Sequence, residues 1–326
     1  MLDLRISSDP SIFWDLADEW LELLKRQPDK TPFITPHWLG IAYDFFASDE
    51  ELSLITLRDH SGVLQGVLPL VKRVRGECVV VEFPFAAGYG YYDFVITPKY
   101  RNEAIEEAFR LVRGASDFRA ELGPFHAQSP TLWALQKAAQ NLNLNFEKVE
   151  VGSFAYIDLP DSMDELIFSM RPHDRRKFTK LVKRAHRLAN MQIKSVDRPE
   201  LIDEGIDSLV RIMRLLGKEI EPGHEAFLRE IARILSQYGW LSIRCLDADG
   251  WRVAVALLTR YGDTVHILVE DIDPNAADVQ PGVVLLVNII EDAISMGIKR
   301  IEILDRIEGL KVGYKEQKLV KAVLSN

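Results

Sequence analysis

A basic segment at residues 171–187 is the strongest chemical signal in the sequence. It carries eight Lys or Arg residues and one Asp, a net charge of +7, so the other 309 residues sum to −16 in a chain of −9. Phe178 and Val182 lie on one face of a predicted helix, and Arg176 and Lys180 lie on another. Such a helix binds the phosphates of a small ligand, of nucleic acid or of anionic lipid, or it pairs with the acidic remainder of the protein.

A second candidate site is the loop and helix start at residues 273–286. Gln280, Pro281, Gly282 and Val283 stand where a strongly apolar helix is predicted to begin. Backbone N–H groups and the helix dipole favour anions at such a point, and a glycine lets a ligand approach the backbone closely. The alternative interpretation is an ordinary helix start with proline in its first turn.

A third candidate is the loop that contains Tyr91, Tyr92 and Asp93, which follow Gly88 and Gly90. Tyrosine rings in a loop can stack on a sugar or hydrogen-bond an acceptor, and the Asp93 carboxylate could orient an amine. The competing interpretation is a structural turn whose tyrosine rings cover the core.

Other kinds of site are disfavoured by composition. The two cysteines lie 167 positions apart, which excludes a disulfide scaffold, and we find no metal-ligand spacing, phosphate-binding loop or nucleophile elbow. A net charge of −9 disfavours a protein whose main task is to coat nucleic acid. No targeting or membrane-spanning segment is visible, so we expect a soluble cytoplasmic protein, either a monomer or a homodimer.

The elements that must position these residues form an internal repeat. Residues 52–62 and 241–250 have similar patterns, and each begins a predicted hairpin. Each half then continues to give the order strand–strand–strand–helix–strand, which predicts two copies of one α/β unit, at residues 1–155 and 156–326. Residues 161–190 are predicted to be helical, and the chain to end in a Lys-rich helix or a helix plus a strand.

Several segments in this order resemble one superfamily. They are Phe33-Ile-Thr-Pro-His-Trp-Leu39, Val67-Leu-Pro-Leu70, Tyr91-Tyr-Asp93, the basic helix from Arg175 to Arg184, Pro281-Gly-Val-Val-Leu-Leu286 and Tyr314-Lys315. Together they resemble tandem proteins of the GCN5-related N-acetyltransferase (GNAT) superfamily. The similarity is to the acetyltransferase 6 type, also described as cellulose-biosynthesis-type or BioF2-like, and to the Fem-type peptidyltransferases.

The resemblance implies an α/β fold of two tandem GNAT units, each a mixed, mostly antiparallel sheet flanked by helices. It implies an acyl-CoA donor, such as acetyl-CoA, as co-substrate and no metal. The donor would be held by Gln280, Pro281, Gly282 and Val283, together with Arg175, Arg176 and Lys180 of the basic helix. The first unit would supply the acceptor side through Tyr91, Tyr92 and Asp93.

The resemblance also implies catalytic roles. Asp305 follows the strand whose end lies near the acyl carbonyl in this fold, where a carboxylate could act as general base. Glu270 and Asp271 are its rivals, and Glu270 is also a candidate for substrate binding. Tyr314 would protonate the departing thiolate, and Lys315 would neutralise developing negative charge. A surface ion pair is the alternative interpretation for each of these residues.

The expected reaction is acyl transfer from acyl-CoA to an amine of a sugar, amino acid or peptide, in polysaccharide or cell-envelope biosynthesis. One alternative is Fem-like transfer from an aminoacyl-tRNA, with tRNA the less expected partner. Another is a non-catalytic binding module of a polysaccharide assembly system.

Overall fold

The computed structural model describes residues 2–28, 30–76, 78–84, 89–113, 117–186, 191–304 and 314–326. The chain forms two compact units, here called unit 1 and unit 2. Unit 1 consists of Met1–Ser153 and Gln317–Asn326, and unit 2 of Phe154–Glu316. The last ten residues of the chain therefore belong to the first unit. The assignment of residues 1–155 to the acceptor and 156–326 to the donor stays a prediction.

Unit 1 contains a sheet with the strand order β1-β2-β3-β4-β6-β13, and β5 pairs with β3. Only β4 and β6 are parallel neighbours, and the other described pairs are antiparallel. Numbered along the chain, its strands are β1 (Asp3–Ser7), β2 (Glu51–Arg58), β3 (Leu64–Arg75), β4 (Cys78–Glu82), β5 (Val95–Ile96), β6 (Asp117–His126) and β13 (Lys315–Ser325). Its helices are α1 (Ile12–Asp15), α2 (Ala17–Lys25), α3 (Pro36–Phe46), α4 (Arg101–Arg113) and α5 (Pro130–Asn141).

Unit 2 has the strand order β8-β9-β10-β11-β12-β7. Among the strand pairs of the described residues in this unit, β11 with β12 is the parallel one, and the others are antiparallel. Its strands are β7 (Asn145–Asp158, of which residues 154–158 lie in this unit), β8 (Met191–Val196), β9 (Leu241–Ala248), β10 (Trp251–Tyr261), β11 (Thr264–Ile272) and β12 (Arg300–Ile303). Its helices are α6 (Met163–Ser169), α7 (Pro172–Ala185), α8 (Ile202–Leu215), α9 (Pro222–Gln237) and α10 (Pro281–Ser295).

The two units share one topology, which confirms the predicted α/β class. In each unit, an antiparallel hairpin of two strands is followed by a third strand that is antiparallel to the second. A helix then leads to a fourth strand, which runs parallel to the third. In unit 1 the other strand beside β6 is β13, from the end of the chain, and in unit 2 residues 155–158 of β7 lie beside β12.

Local signals explain where individual elements begin. Thr35 accepts a hydrogen bond from the N–H of Trp38 at 3.2 Å, and Pro36 occupies the first turn of α3, as its sequence predicts. The basic region differs from the prediction. It forms two helices, α6 and α7, because Arg171 is extended before Pro172, and the residue before a proline is sterically excluded from helical geometry.

The C-terminal segment was predicted to be a Lys-rich helix or a helix plus a strand. From Lys315 onwards it is strand, which contradicts the first alternative, and residues 305–313 lie outside the described residues. Its apolar residues Val320, Ala322 and Leu324 are buried, and the strand pairs with β6. Pairing and burial override the weak helical preference of the lysines. The edge strands β1 and β8 were not predicted, because they are short and only partly buried.

The core of unit 2 lies between the sheet and the helices α6, α7 and α10. Its buried members include Phe178 and Val182 of α7, Leu285 and Ile289 of α10, and Ile267 of β11. This packing presses the apolar face of the basic helix against α10 and leaves its other face in solvent.

Candidate functional site

The end of β11 is here called the open edge, because among the described residues it has a neighbouring strand on one side only. β11 pairs with β12 only from Thr264 to Ile267, and beyond that point the described residues pair it only with β10. The register against β10 also shifts, because Leu257 faces Val269 while Leu258 faces Ile267, which leaves Leu268 as an extra residue. Bulges of this kind re-aim backbone groups and are frequent beside active sites. Residues 268–272 therefore offer backbone hydrogen-bonding groups to a ligand.

Helix α10 begins directly against this strand end. A Cβ added at Gly282 would lie 2.5 Å from Ile272 Cδ1 and 3.4 Å from Glu270 Oε1. No side chain larger than hydrogen fits there without movement, so part of the role of Gly282 is close packing on β11. Pro281 has no N–H, and the N–H of Gly282 has no partner among the described residues. It is a free donor at the positive end of the helix.

Gln280 connects this helix start to the basic helix. Its backbone is left-handed, with φ 51° and ψ 54°, and its carbonyl accepts a hydrogen bond from the N–H of Val283 at 3.1 Å. Its side-chain Oε1 accepts a hydrogen bond from Arg184 Nη1 at 3.0 Å. The structure therefore brings together two segments that sequence reasoning treated as separate candidates.

The exposed face of α7 carries Arg176, Lys177, Lys180 and Lys183, here called the cationic stripe. In the parts of the chain that the structure covers, none of the four forms an ion pair. Pairing with the acidic remainder of the protein therefore does not account for their charges. With a rise of about 1.5 Å per residue, the stripe spans about 10 Å.

Arg175 has a different environment from Arg176 and Lys180. Its guanidinium lies 4.7 Å from the ring centre of Phe168 and donates hydrogen bonds to the carbonyls of Phe168 and Met170. These carbonyls lie at the end of α6, so Arg175 holds the turn between α6 and α7.

The two adjacent carboxylates at the end of β11 are both buried, with Glu270 7% and Asp271 2% exposed. Neighbouring residues of a strand point to opposite faces. Glu270 accordingly approaches Gly282 of α10, whereas Asp271 Oδ1 accepts a hydrogen bond from Lys218 Nζ at 2.5 Å. Glu270 is thus the carboxylate on the α10 side of the sheet, and Lys218 is a neighbouring cation that sequence reasoning missed.

Of the other predicted catalytic residues, Tyr314 and Lys315 are not brought to this point. Asp305 lies outside the described residues, and Tyr314 lies exposed immediately before β13. Lys315 Nζ donates to Asp158 Oδ2 at 2.7 Å, and this hydrogen bond raises the pKa of Lys315. Asp158 pairs in register with Arg300, which lies opposite Thr264 at the start of β11. Glu270 is about 20 Å further along that strand, at about 3.3 Å per residue.

A buried polar pair joins β11 to β12 in the core of unit 2. His266 is fully buried, and its Nε2 lies 3.4 Å from Glu302 Oε2. Burial lowers the pKa of His266 to about 3, so the ring is neutral at physiological pH. Among the described residues there is no group of three or more His, Cys, Asp or Glu placed to hold a metal ion.

In unit 1 the predicted loop residues are mostly engaged in structure. The Tyr92 ring is 1% exposed and stacks on Phe83 with ring centres 5.6 Å apart. The Asp93 carboxylate accepts hydrogen bonds from the hydroxyls of Ser129 and Thr131 at the start of α5, the latter at 2.5 Å. Burial raises the pKa of Asp93, and these hydroxyl donors act in the opposite direction.

Tyr91 is partly exposed, in contrast to the buried Tyr92. Its ring meets Phe33 edge-on with centres 5.8 Å apart and His126 edge-on at 6.3 Å. It is therefore the tyrosine of the pair that retains a face for a ligand.

A cavity of about 490 Å³ lies in unit 1, at the end of the parallel strands β4 and β6. This is the position in unit 1 that corresponds to the open end of β11 in unit 2. Sequence reasoning missed its charged residues, because polar positions in short strands resemble solvent-exposed faces. Its lining includes Arg73, Glu82, Phe83, Tyr92, Glu121 and Lys321.

Comparisons with known proteins agree with this topology. Residues 173–316 match the profile of the family described as acetyltransferase (GNAT) domain. The crystal structure of FemX superposes with a TM-score of 0.67 at 12% identity, covering 94% of this chain and 95% of that one. None of the curated proteins matches the sequence significantly.

Two further solved structures share the architecture. The C-terminal domain of a putative lysylphosphatidylglycerol synthetase from Agrobacterium fabrum has a TM-score of 0.54 at 12% identity, covering 95% of this chain and 92% of that one. A tandem GNAT protein from the clavulanic acid biosynthesis pathway has a TM-score of 0.50 at 12% identity, covering 100% and 98%.

The chain therefore has a GNAT-type fold that it shares with FemX, and its residues 173–316 are similar in sequence to the GNAT acetyltransferase domain family. This sequence similarity supports acyl transfer as the general class of activity. None of the helices in the described ranges is both long and apolar enough to cross a membrane.

Proposed function

We propose that this protein transfers an acyl group from acyl-CoA to an amine of a sugar, amino acid or peptide. The observation that carries the proposal is the junction in unit 2, where the free N–H of Gly282, the open edge of β11 and the Glu270 carboxylate lie together. The cationic stripe leads to this junction through the contact of Arg184 with Gln280. Cations and N–H donors suit the phosphates of the donor, and a strand edge suits its amide-containing arm.

The chemical step needs a base, an oxyanion site and a leaving-group acid. Glu270 would accept the proton of the acceptor ammonium, and the neutral amine would then attack the thioester carbonyl carbon. Backbone N–H groups at residues 268–272 would stabilise the tetrahedral oxyanion. Its collapse would form the amide and release the thiolate, and the second proton of the amine nitrogen would pass through water to the thiolate. An acid at Tyr314, as predicted, would need a position other than the one beside Lys315. Asp305 remains an alternative base, and Lys315 a proposed source of positive charge.

Calorimetric titration with acetyl-CoA, supported by thermal shift, tests the donor proposal. We expect binding by the wild type and at least tenfold weaker binding by Lys180→Glu/Lys183→Glu. Lys99→Glu/Lys148→Glu is a matched control, because it reverses the same number of exposed lysines in unit 1. Absence of binding by CoA and by longer acyl-CoAs, or an equal loss in the control, would refute the donor assignment.

The length of the cationic stripe favours a second candidate, in which the donor is an aminoacyl-tRNA. Unpaired charges over about 10 Å exceed what one pyrophosphate needs, and a nucleic acid backbone would use them all. A gel shift with unfractionated tRNA at low salt distinguishes the two donors. Binding that weakens steeply with salt and is lost in Lys180→Glu/Lys183→Glu would support the tRNA donor, and no shift would remove it.

We also propose an acceptor site and a pathway for the reaction. Tyr91, Tyr92 and Asp93 would form part of the acceptor side, and the pathway would be polysaccharide or cell-envelope biosynthesis in the cytoplasm. A non-catalytic binding module is the competing proposal. Release of free CoA thiol only when an amine acceptor is present would favour the enzyme, whereas donor binding without release under any acceptor would favour the module.

A further inference from the structure

The cavity of unit 1 has an unusual distribution of charge. Glu82 and Glu121 are partners in the parallel register of β4 and β6, so their side chains share one face of the sheet with backbones about 4.8 Å apart. Their side chains are only 18% and 19% exposed. Two carboxylates so close repel each other unless cations compensate them.

Cations compensate each carboxylate separately. Glu82 lies 3.3 Å from Arg73 Nε, and Glu121 lies 2.6 Å from Arg119 Nε and also pairs with Lys321. The hydrogen bond from Lys321 lowers the pKa of Glu121, so that carboxyl is ionised at neutral pH. Arg73 and Lys321 line the cavity together with both glutamates, which therefore presents two charges of each sign.

An aromatic wall faces these charges. Phe83, Tyr89 and Tyr92 line the cavity. Gly90, which lies between the two tyrosines, has a left-handed backbone with φ 78°. A Cβ at Gly90 would lie 2.4 Å from the ring of Phe33, so the chain is pressed against that ring and cannot carry a side chain there. Aromatic faces accept both apolar groups and ammonium groups.

The balance of charge selects the class of ligand. A simple anion would meet two carboxylates, and a simple cation would meet a guanidinium and an ammonium. A neutral ligand would desolvate four charges without replacing their hydration. A ligand that carries an ammonium and a carboxylate pairs with both signs, and a volume of about 490 Å³ lies within the range of about 300–1,000 Å³ of small-molecule sites.

We propose that the cavity of unit 1 binds a small zwitterion, an amino acid or a short peptide with both ends free. Its ammonium lies against Glu82 and Glu121, its carboxylate lies against Lys321 and Arg73, and its side chain lies on the aromatic wall. The inference rests on the proposed function in one respect, because such a ligand would be the amine acceptor.

Calorimetry with L-alanyl-L-alanine as the probe tests the inference. We expect the free dipeptide to bind, and both N-acetyl-L-alanyl-L-alanine and L-alanyl-L-alaninamide to bind at least tenfold more weakly, because each lacks one charge. Glu121→Gln should weaken the dipeptide at least tenfold. The matched control Glu107→Gln, a partly exposed residue of α4 outside the cavity lining, should not. Equal binding of free and capped peptides, or no binding of the free dipeptide at millimolar concentration, would overturn the inference.

A second variant keeps the test valid if Glu121→Gln impairs folding. Val151 lines the cavity but is half exposed, so Val151→Trp fills the space without removing a buried group. We expect it to fold with an unchanged thermal midpoint and to lose dipeptide binding; retained binding would contradict the proposed location.

Acetyl-CoA titration of the same samples separates this inference from the proposed function. Dipeptide binding without acetyl-CoA binding would leave the cavity assignment standing and refute the donor. Acetyl-CoA binding without dipeptide binding would refute only the cavity assignment. Competition between the two ligands for the wild type, together with loss of acetyl-CoA binding in Val151→Trp, would place the donor in the cavity and overturn the inference.

Discussion

Replacement of Gly282 by alanine separates the packing role of this residue from its proposed role in donor binding. The new Cβ would lie 2.5 Å from Ile272 Cδ1, whereas carbon atoms in contact are about 3.5–4.0 Å apart, so one of them must move by about 1 Å. Overpacking of this size costs about 1–3 kcal/mol, and the better helix propensity of alanine returns up to about 1 kcal/mol. We expect Gly282→Ala to lower the free energy of unfolding by about 1–2 kcal/mol.

Removal of Ile272 Cδ1 provides the matched background. Ile272→Val alone costs about 0.5–1.5 kcal/mol, but it deletes the clashing atom, and the next nearest atoms to the added Cβ lie at 3.4 Å. In that background Gly282→Ala should cost almost nothing, so urea unfolding of the four proteins should give a coupling energy of about 1–2 kcal/mol. Additive effects of the two substitutions would refute the packing argument.

The same double variant tests the donor site. If the backbone at Gly282 must approach the donor, Gly282→Ala/Ile272→Val will bind acetyl-CoA about tenfold more weakly than Ile272→Val, although both are equally well folded. A tenfold change corresponds to about 1.4 kcal/mol. Equal affinity in the two proteins would show that Gly282 serves packing alone.

Three further predictions follow from the described contacts. Thr131→Val removes a hydroxyl donor to the buried Asp93 carboxylate and should lower the free energy of unfolding by about 2 kcal/mol in urea denaturation; a change below 0.5 kcal/mol would contradict this role. Because burial lowers the pKa of His266 to about 3, the unfolded chain alone binds this proton between about pH 6.5 and pH 3, so stability falls as the pH falls, by about 1.4 kcal/mol per pH unit. The free energy of unfolding of His266→Leu, measured against pH and subtracted from that of the wild type, should isolate this slope. Identical slopes in the two proteins would show that the folded ring is not held buried in its neutral form. If the donor is a tRNA, Lys180→Glu/Lys183→Glu should reduce the slope of log K against log salt by roughly 1.4–1.8; an unchanged slope would remove the cationic stripe from the phosphate contacts.

Sequence reasoning succeeded where the signal is local. The repeated hairpins and the start of the apolar helix α10 at Pro281 and Gly282 both follow from neighbouring residues. It failed at the long helix predicted across Arg171, because the steric effect of Pro172 on its predecessor outweighs the helical periodicity around it. The candidate site was predicted only in fragments, since Gln280 and the basic helix are far apart in the chain.

The sequence by itself determined the two α/β repeats, the amphipathic cationic helix and the glycine at the start of α10. Each of these depends on residue types within a few positions of one another, through periodicity, capping and conformational freedom. Only the tertiary structure decided that β4 pairs with β6 and β11 with β12. It therefore also decided that Glu82 meets Glu121, and that among the described residues the end of β11 has a neighbouring strand on one side only. The physical reason is that every backbone offers the same donors and acceptors, so the choice of neighbouring strand depends on how distant elements pack.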